Sequence, residues 1–203
     1  MLLLNGLQHP IEFIAFLLAL VAAVTVHEFM HAFVADRLGD PTPRMAGRVT
    51  LNPLAHLDPL GSIMLLIAGF GWGKPVIINT QNFSNPATDE LLVALAGPAS
   101  NLLQAVVAGY LAQAFAVSAP VLASVCILVV QLNIFLMLFN LIPIPPLDGS
   151  KALRLILDET TFRMLELSSM PLIIGLFVLI QVTPLGTLLT STANQLTTWL
   201  LGG

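Results

Sequence analysis

Two histidines and a glutamate stand as His27-Glu28-Phe29-Met30-His31 inside an apolar run long enough to cross a bilayer. Residues four apart on a helix lie one turn apart on the same face, so the two imidazoles can share a metal ion. A glutamate after the first histidine is the usual general base where such a pair holds zinc for peptide hydrolysis. Three ionisable groups at membrane depth are each expensive to place and call for a functional reason. The bland alternative, a pair of satisfied buried histidines, does not account for Glu28 between them.

Catalytic zinc usually takes three protein ligands and leaves a fourth position to water. The best third ligand is Asp148, in Ile142-Pro143-Ile144-Pro145-Pro146-Leu147-Asp148-Gly149. The prolines keep this segment out of helix, and non-helical backbone at membrane depth is tolerated only where protein or a wet cavity receives it. Taken alone, Asp148 reads more readily as an N-cap for the helix that follows. The upstream histidines, and a topology that brings the two segments together, reverse that preference. One zinc per chain is expected, held by His27, His31 and Asp148 at about 2.0–2.2 Å. His56 and Asp58 offer a second metal pair, but turn chemistry explains them better. Asn133 and Asn140 read as interhelical hydrogen-bonding groups. Cys126, the only cysteine, reads as a packing residue.

The elements that must position these groups are membrane helices. The chain has 203 residues, of which 57% are hydrophobic and 9% charged, against roughly 25% charged in soluble domains. Mean hydropathy is +0.92. Seven Lys and Arg are too few for a nucleic-acid surface. The start of the chain lacks the basic segment of a cleavable signal peptide, and the first apolar run carries the histidines themselves. The pattern predicts an all-α polytopic membrane protein with about 4–5 spans, residues 1–203 forming one domain with a core over 11–158 and further helices over 160–201. The first span runs from about Ile11 to Leu38, stopped by Gly39-Asp40-Pro41. Leu60 to Phe70 is apolar but about half the ~20 residues a span needs. Val76-Ile77-Ile78 reads as a short strand. Asn85-Pro86 opens a helix to about Ala116, interrupted by Gly97-Pro98, and Pro120 to Leu141 forms the next span. A fourth span covers about Met164 to Val182 with Pro171 as a kink, and the tail, Leu185 to Leu200, lies on the interface or crosses again.

Charge placement decides between two topologies. If Leu60 to Phe70 crosses, the basic residues scatter over both sides. If it dips in and returns as a re-entrant loop, Arg37, Arg44, Arg48, Lys74, Lys151, Arg154 and Arg163 all share one side, which the positive-inside rule makes cytoplasmic. The second topology also puts the end of the third span, and so Asp148, on the side where the first span ends.

Three separated elements resemble the site-2 protease family of intramembrane zinc metalloproteases, in particular compact prokaryotic members without PDZ or CBS domains. His27-Glu28-Phe29-Met30-His31 is similar to the family's zinc motif. Leu147-Asp148-Gly149, with its upstream prolines, is similar to the second motif, whose Asp is the third ligand. Gly97-Pro98-Ala99-Ser100-Asn101 resembles the Gly-Pro-x-x-Asn element between them. The second motif commonly begins Asn-Pro, where this chain has Ile142-Pro143; Asn140, two residues earlier, is a candidate to do the same work and to contact substrate. The resemblance implies a membrane-inserted β-containing loop after the first helix, in agreement with the re-entrant topology.

Asn101 then has two readings of equal weight, a group that orients the peptide or binds an oxyanion, and an interhelical hydrogen bond. At 1.5 Å per residue it lies about 16 Å along its helix from Glu90, and His27 lies about 15 Å from Arg37, which puts the two at similar depth. The expected activity is hydrolysis of peptide bonds in transmembrane or membrane-associated substrates at a site opening to the cytoplasm, with zinc acidifying water and Glu28 carrying the proton to the leaving amine. An edge at Val76, Ile77 and Ile78 can accept the unwound substrate as an added strand. A membrane metal-ion transporter would need ligands along a path to both faces, and the fourth span and tail offer only Glu166. A catalytically inactive metal-binding homologue has no need of Glu28.

Overall fold

The computed structural model describes residues 8–68 and 71–203. The first seven residues, on which the reading of the chain's start rests, and Gly69 and Phe70 at the end of the short apolar stretch lie outside the described residues. The architecture is helical throughout: α1 (Pro10–Arg37), the single turn α2 (Thr42–Met45), α3 (Pro59–Ala68), α4 (Pro86–Phe115), α5 (Pro120–Asn140), a 3-10 helix over Asp148–Leu155, then α6 (Glu159–Leu167), α7 (Ser169–Val182) and α8 (Leu185–Leu200).

Three helices, α1, α4 and α5, are long and apolar enough to cross a membrane, or four spans if the bent pair α6–α7 counts as one. That is fewer than the upper end of the sequence expectation. Pro171 does not kink a continuous fourth span. The chain breaks ahead of it, at Ser168, and α6 and α7 meet at 67°. Proline in the first turn of α7 costs little, because the amide it lacks has no partner there anyway. The tail helix α8 has 16 residues and packs along α5.

The core of the bundle is α4, packed on α1 along one side and on α5 along the other. On α1 the buried residues Ala19, Ala23, His27, His31 and Ala35 recur every four positions, which lines them up on one face. On α4 the buried face is built from small residues, Ala94, Gly97, Ser100, Asn101, Ala105, Ala108 and Ala112. Small side chains let membrane helices approach closely, since lipid offers no hydrophobic gain from packing bulk against bulk. The large apolar residues Leu18, Leu103, Val107 and Val121 turn outward.

The expected β-containing loop is not present: among the described residues there is no strand, and Leu57 and Gly73 form a single antiparallel bridge. The chain leaves through α3 and comes back beside its starting point, where the Lys74 amide donates to the His56 carbonyl at 2.7 Å. Val76, Ile77 and Ile78 are β-branched, but side chains occupy the backbone on either side of them. Arg48 donates to the carbonyls of Lys74 and Pro75, and the Asn79 amide donates to Asp40 at 2.7 Å. Local propensity therefore yields no sheet here.

One end of the bundle collects the charges. Glu90, in the first turns of α4, pairs with Lys151 at 2.9 Å and with Arg154, and Lys151 also pairs with Glu166. Lys151 and Arg154 lie over the ring of Phe162. This network fastens the Asp148–Leu155 helix to α4. Asn85 does stand at the N-cap of α4, but its side chain makes no cap; Asp89 reaches back and accepts from the Asn85 amide at 2.9 Å.

Candidate metal centre

His27 and His31 project from α1 toward the bare backbone of Gly97 on α4. A methyl group at Gly97 would stand 2.4 Å from His31 Nε2 and 2.6 Å from His27 Cε1, so no other residue leaves room for the two rings. Pro98 follows it and has no N–H to offer the Ala94 carbonyl, which loosens the helix at this turn. One turn earlier, the Val93 carbonyl accepts from His31 Nδ1 at 2.7 Å.

Asp148 reaches the same point from the far end of α5. The prolines carry the chain out of helix, and Gly149 lets it fold back tightly: a Cβ there would lie 2.2 Å from the Leu141 carbonyl oxygen. Leu147, not Asp148, holds the N-cap position of the 3-10 helix, without a side-chain cap. The Asp148 carboxylate points instead at both imidazoles, with Oδ2 3.1 Å from His27 Nε2 and Oδ1 3.3 Å from His31 Nε2. The two Nε2 atoms are 3.0 Å apart.

The triangle's edges of 3.0, 3.1 and 3.3 Å are slightly shorter than those of a metal-filled site. A tetrahedral ion with ligands at about 2.0–2.2 Å sets its ligand atoms about 3.3–3.6 Å apart. Its protons point the same way. His31 Nδ1 faces a backbone carbonyl, which only accepts, so that nitrogen carries a proton, and in the neutral imidazole Nε2 presents the lone pair. His27 Nδ1 faces Asn101 Oδ1 at 2.6 Å and is likewise the donor. In their neutral forms both rings then direct an Nε2 lone pair at the Asp148 carboxylate, so the three groups converge on one point. Such a cluster needs positive charge inside it, which a metal ion or a proton on one imidazole supplies. Among the described residues these three are the group able to hold a metal.

Glu28 follows His27 on α1 and is partly buried. Its Oε2 lies 3.8 Å from Arg48 Nη2. Arg48 is itself buried and grips the Lys74 and Pro75 carbonyls, so the returning loop is tied down beside Glu28. Gly73 is close enough that an added Cβ would touch Glu28 Oε1 at 3.5 Å. From the sequence Arg48 counted only as a topological charge.

The other candidates sort themselves by partner. Asn101 is fully buried, bonded at one end to His27 and at the other to Asn133 of α5. Its depth matches that of His27, as helix length predicted. Asn140 donates back to the Leu136 carbonyl of its own helix at 2.9 Å. Val76, Ile77 and Ile78 lie in neither helix nor strand, with Ile77 69% exposed and no backbone partner among the described residues. His56 donates to the Thr50 carbonyl and faces Arg48, and Asp58 accepts from the Gly61 amide, so both do turn chemistry. Glu166 is engaged with Lys151.

With the site in place, comparison with known proteins is decisive. The profile of Peptidase family M50 matches residues 113–182, which include Asp148. YwhC of Bacillus subtilis is 38% identical over 193 residues, covering 89% of this chain and 86% of its own. The chain belongs to peptidase family M50. This is the family of site-2 proteases, to which the three sequence elements pointed. Rip2 of Mycolicibacterium smegmatis is 36% identical over 165 residues, 77% of this chain and 64% of that protein. MJ0611 of Methanocaldococcus jannaschii is 31% identical over 142 residues, 70% of each. All three relatives carry provisional names as zinc metalloproteases. No solved structure matches the chain.

Proposed function

We propose that this protein is an intramembrane zinc metalloprotease that cuts peptide bonds in transmembrane or membrane-associated substrates, with His27, His31 and Asp148 as the metal ligands and Glu28 as the general base. The observation that carries the assignment is the convergence of His27 Nε2, His31 Nε2 and Asp148 between α1, α4 and the Pro-rich segment. Zinc held there supplies a Lewis acid that polarises the scissile carbonyl and makes water a competent nucleophile at neutral pH.

The chain's own groups do the rest. Val93 and Asn101 fix the imidazoles with their Nδ1 protons pointing away from the centre. Glu28 takes the proton of the attacking water on its carboxylate and delivers it to the departing amine. Arg48 keeps the Glu28 carboxylate and the Lys74–Pro75 backbone in register. A helical substrate hides its amides in its own hydrogen bonds and has to unwind locally. The unpaired segment Val76, Ile77 and Ile78 offers it a backbone to pair with. The positive-inside rule favours the cytoplasm for the end that carries Lys151 and Arg154, and on that orientation water and substrate reach the site from the cytoplasmic side.

The transporter reading fares worse, because the described residues hold one such cluster and Glu166 is spent in an ion pair. Glu28→Gln tests the assignment, with zinc per chain and cleavage of a transmembrane substrate in proteoliposomes measured together. Retained zinc with lost cleavage is expected. Wild-type cleavage by the variant overturns the enzyme reading.

A further inference from the structure

Asn101 and Asn133 form a chain of hydrogen bonds that ends on a metal-ligand candidate, and the direction of that chain is fixed by a backbone atom. Asn133 Nδ2 lies 2.9 Å from the Val129 carbonyl of its own helix. A carbonyl only accepts, so the amide nitrogen of Asn133 must be the atom that faces it. Its Oδ1 therefore faces α4, where the Asn101 amide nitrogen donates to it at 2.8 Å. That leaves Asn101 Oδ1 turned toward α1, 2.6 Å from His27 Nδ1. The His27 proton must then sit on Nδ1. Both asparagines are fully buried, and no water can substitute for either partner without a cavity.

We propose that Asn133, which touches neither the metal nor any of its ligands, is a positioning residue for zinc: by orienting the Asn101 amide it sets the tautomer of His27 and leaves Nε2 free to bind the ion. The inference rests on the assignment of His27 as a ligand. Without Asn133, the Asn101 amide can rotate and present its NH2 group to His27 Nδ1. That orientation favours the other tautomer, with the proton on Nε2, where it blocks the metal. Aspartate at position 101 needs no such orienting, because both carboxylate oxygens accept.

The test is a cycle of four proteins in detergent: wild type, Asn133→Leu, Asn101→Asp, and the double variant, with zinc affinity read by chelator competition. Asn133→Leu is expected to weaken zinc about 10–100-fold in the wild-type background. In the Asn101→Asp background the same change should cost less than about threefold, since the two sites are no longer coupled through amide orientation. Equal losses in both backgrounds would make Asn133 a packing residue only and overturn the proposal, as would no loss in the wild type. Asn133→Asp keeps an acceptor for the Asn101 amide and should hold zinc within about threefold of wild type. This variant decides the matter if Asn133→Leu does not fold, and a large loss from it overturns the proposal. A wild-type chain that binds no zinc at all refutes the ligand assignment itself, which is a different outcome.

Discussion

Replacing Gly97 by alanine places one methyl group against the metal centre. The new Cβ would lie 2.4 Å from His31 Nε2 and 2.5 and 2.6 Å from the Cε1 atoms of His31 and His27. Carbon and nitrogen atoms settle about 3.4–4.0 Å apart, so α4 and the two rings must separate by about 1 Å. Overpacking of this kind costs roughly 1–3 kcal/mol, which a helical bundle can absorb. The metal centre cannot, because ligand distances tolerate only about ±0.2 Å. The expected result is a folded protein with little zinc and at least ~100-fold slower cleavage of a transmembrane substrate, since a 1 Å misplacement costs about that much. Metal analysis of the purified protein and a proteoliposome cleavage assay measure both quantities. Gly109→Ala is the control on the same helix. Its Cβ would meet nothing nearer than the Leu200 carbonyl at 3.5 Å, so zinc and cleavage should persist, with stability raised by roughly 0.5–1 kcal/mol. Full zinc and wild-type cleavage in Gly97→Ala, or equal damage from Gly109→Ala, would refute the reasoning.

Two further predictions concern the charged end of the molecule. Burial alone would push the Asp40 carboxyl up, but hydrogen bonds from Thr42, Asn79 and Asn82 outweigh it and hold the carboxyl below its ordinary range. A depressed native pKa contributes stability that is complete above the ordinary carboxylate range near ~3.9 and is lost as pH falls through the native value. Amide exchange in the loop around Asn79 and Asn82 should therefore rise only in strong acid, and Asp40→Asn should raise it already at neutral pH; an Asp40→Asn loop as protected as wild type would contradict this. Single cysteines at positions 74 and 151, in a chain whose buried Cys126 is replaced by Ala, should resist an impermeant maleimide added outside whole cells and react after lysis. Labelling of either from outside would reverse the proposed orientation.

The sequence alone determined the local chemistry and the helical scaffold. His27, Glu28 and His31 declare themselves because their relation is four residues long and a helix converts that spacing into a shared face. Hydropathy over about twenty residues marks α1, α4 and α5, since the bilayer forces every backbone amide to pair within its own segment. Asp148 was legible as a candidate ligand only together with His27 and His31 and a topology that brings the two segments together; taken alone it reads as a helix cap. Tertiary structure decided what depends on partners far away in the chain. Val76-Ile77-Ile78 has the propensity of a strand, yet Arg48 and Asp40, 26 to 39 residues distant, take the neighbouring backbone groups first. Position 168 reads as part of a continuous span until α6 and α7 bend there. Asn101 shows its depth in the sequence but not which way its amide faces, because that orientation is set through Asn133 by a carbonyl on another helix. Periodicity carries information along one helix; the direction of a hydrogen bond between helices exists only once they are packed.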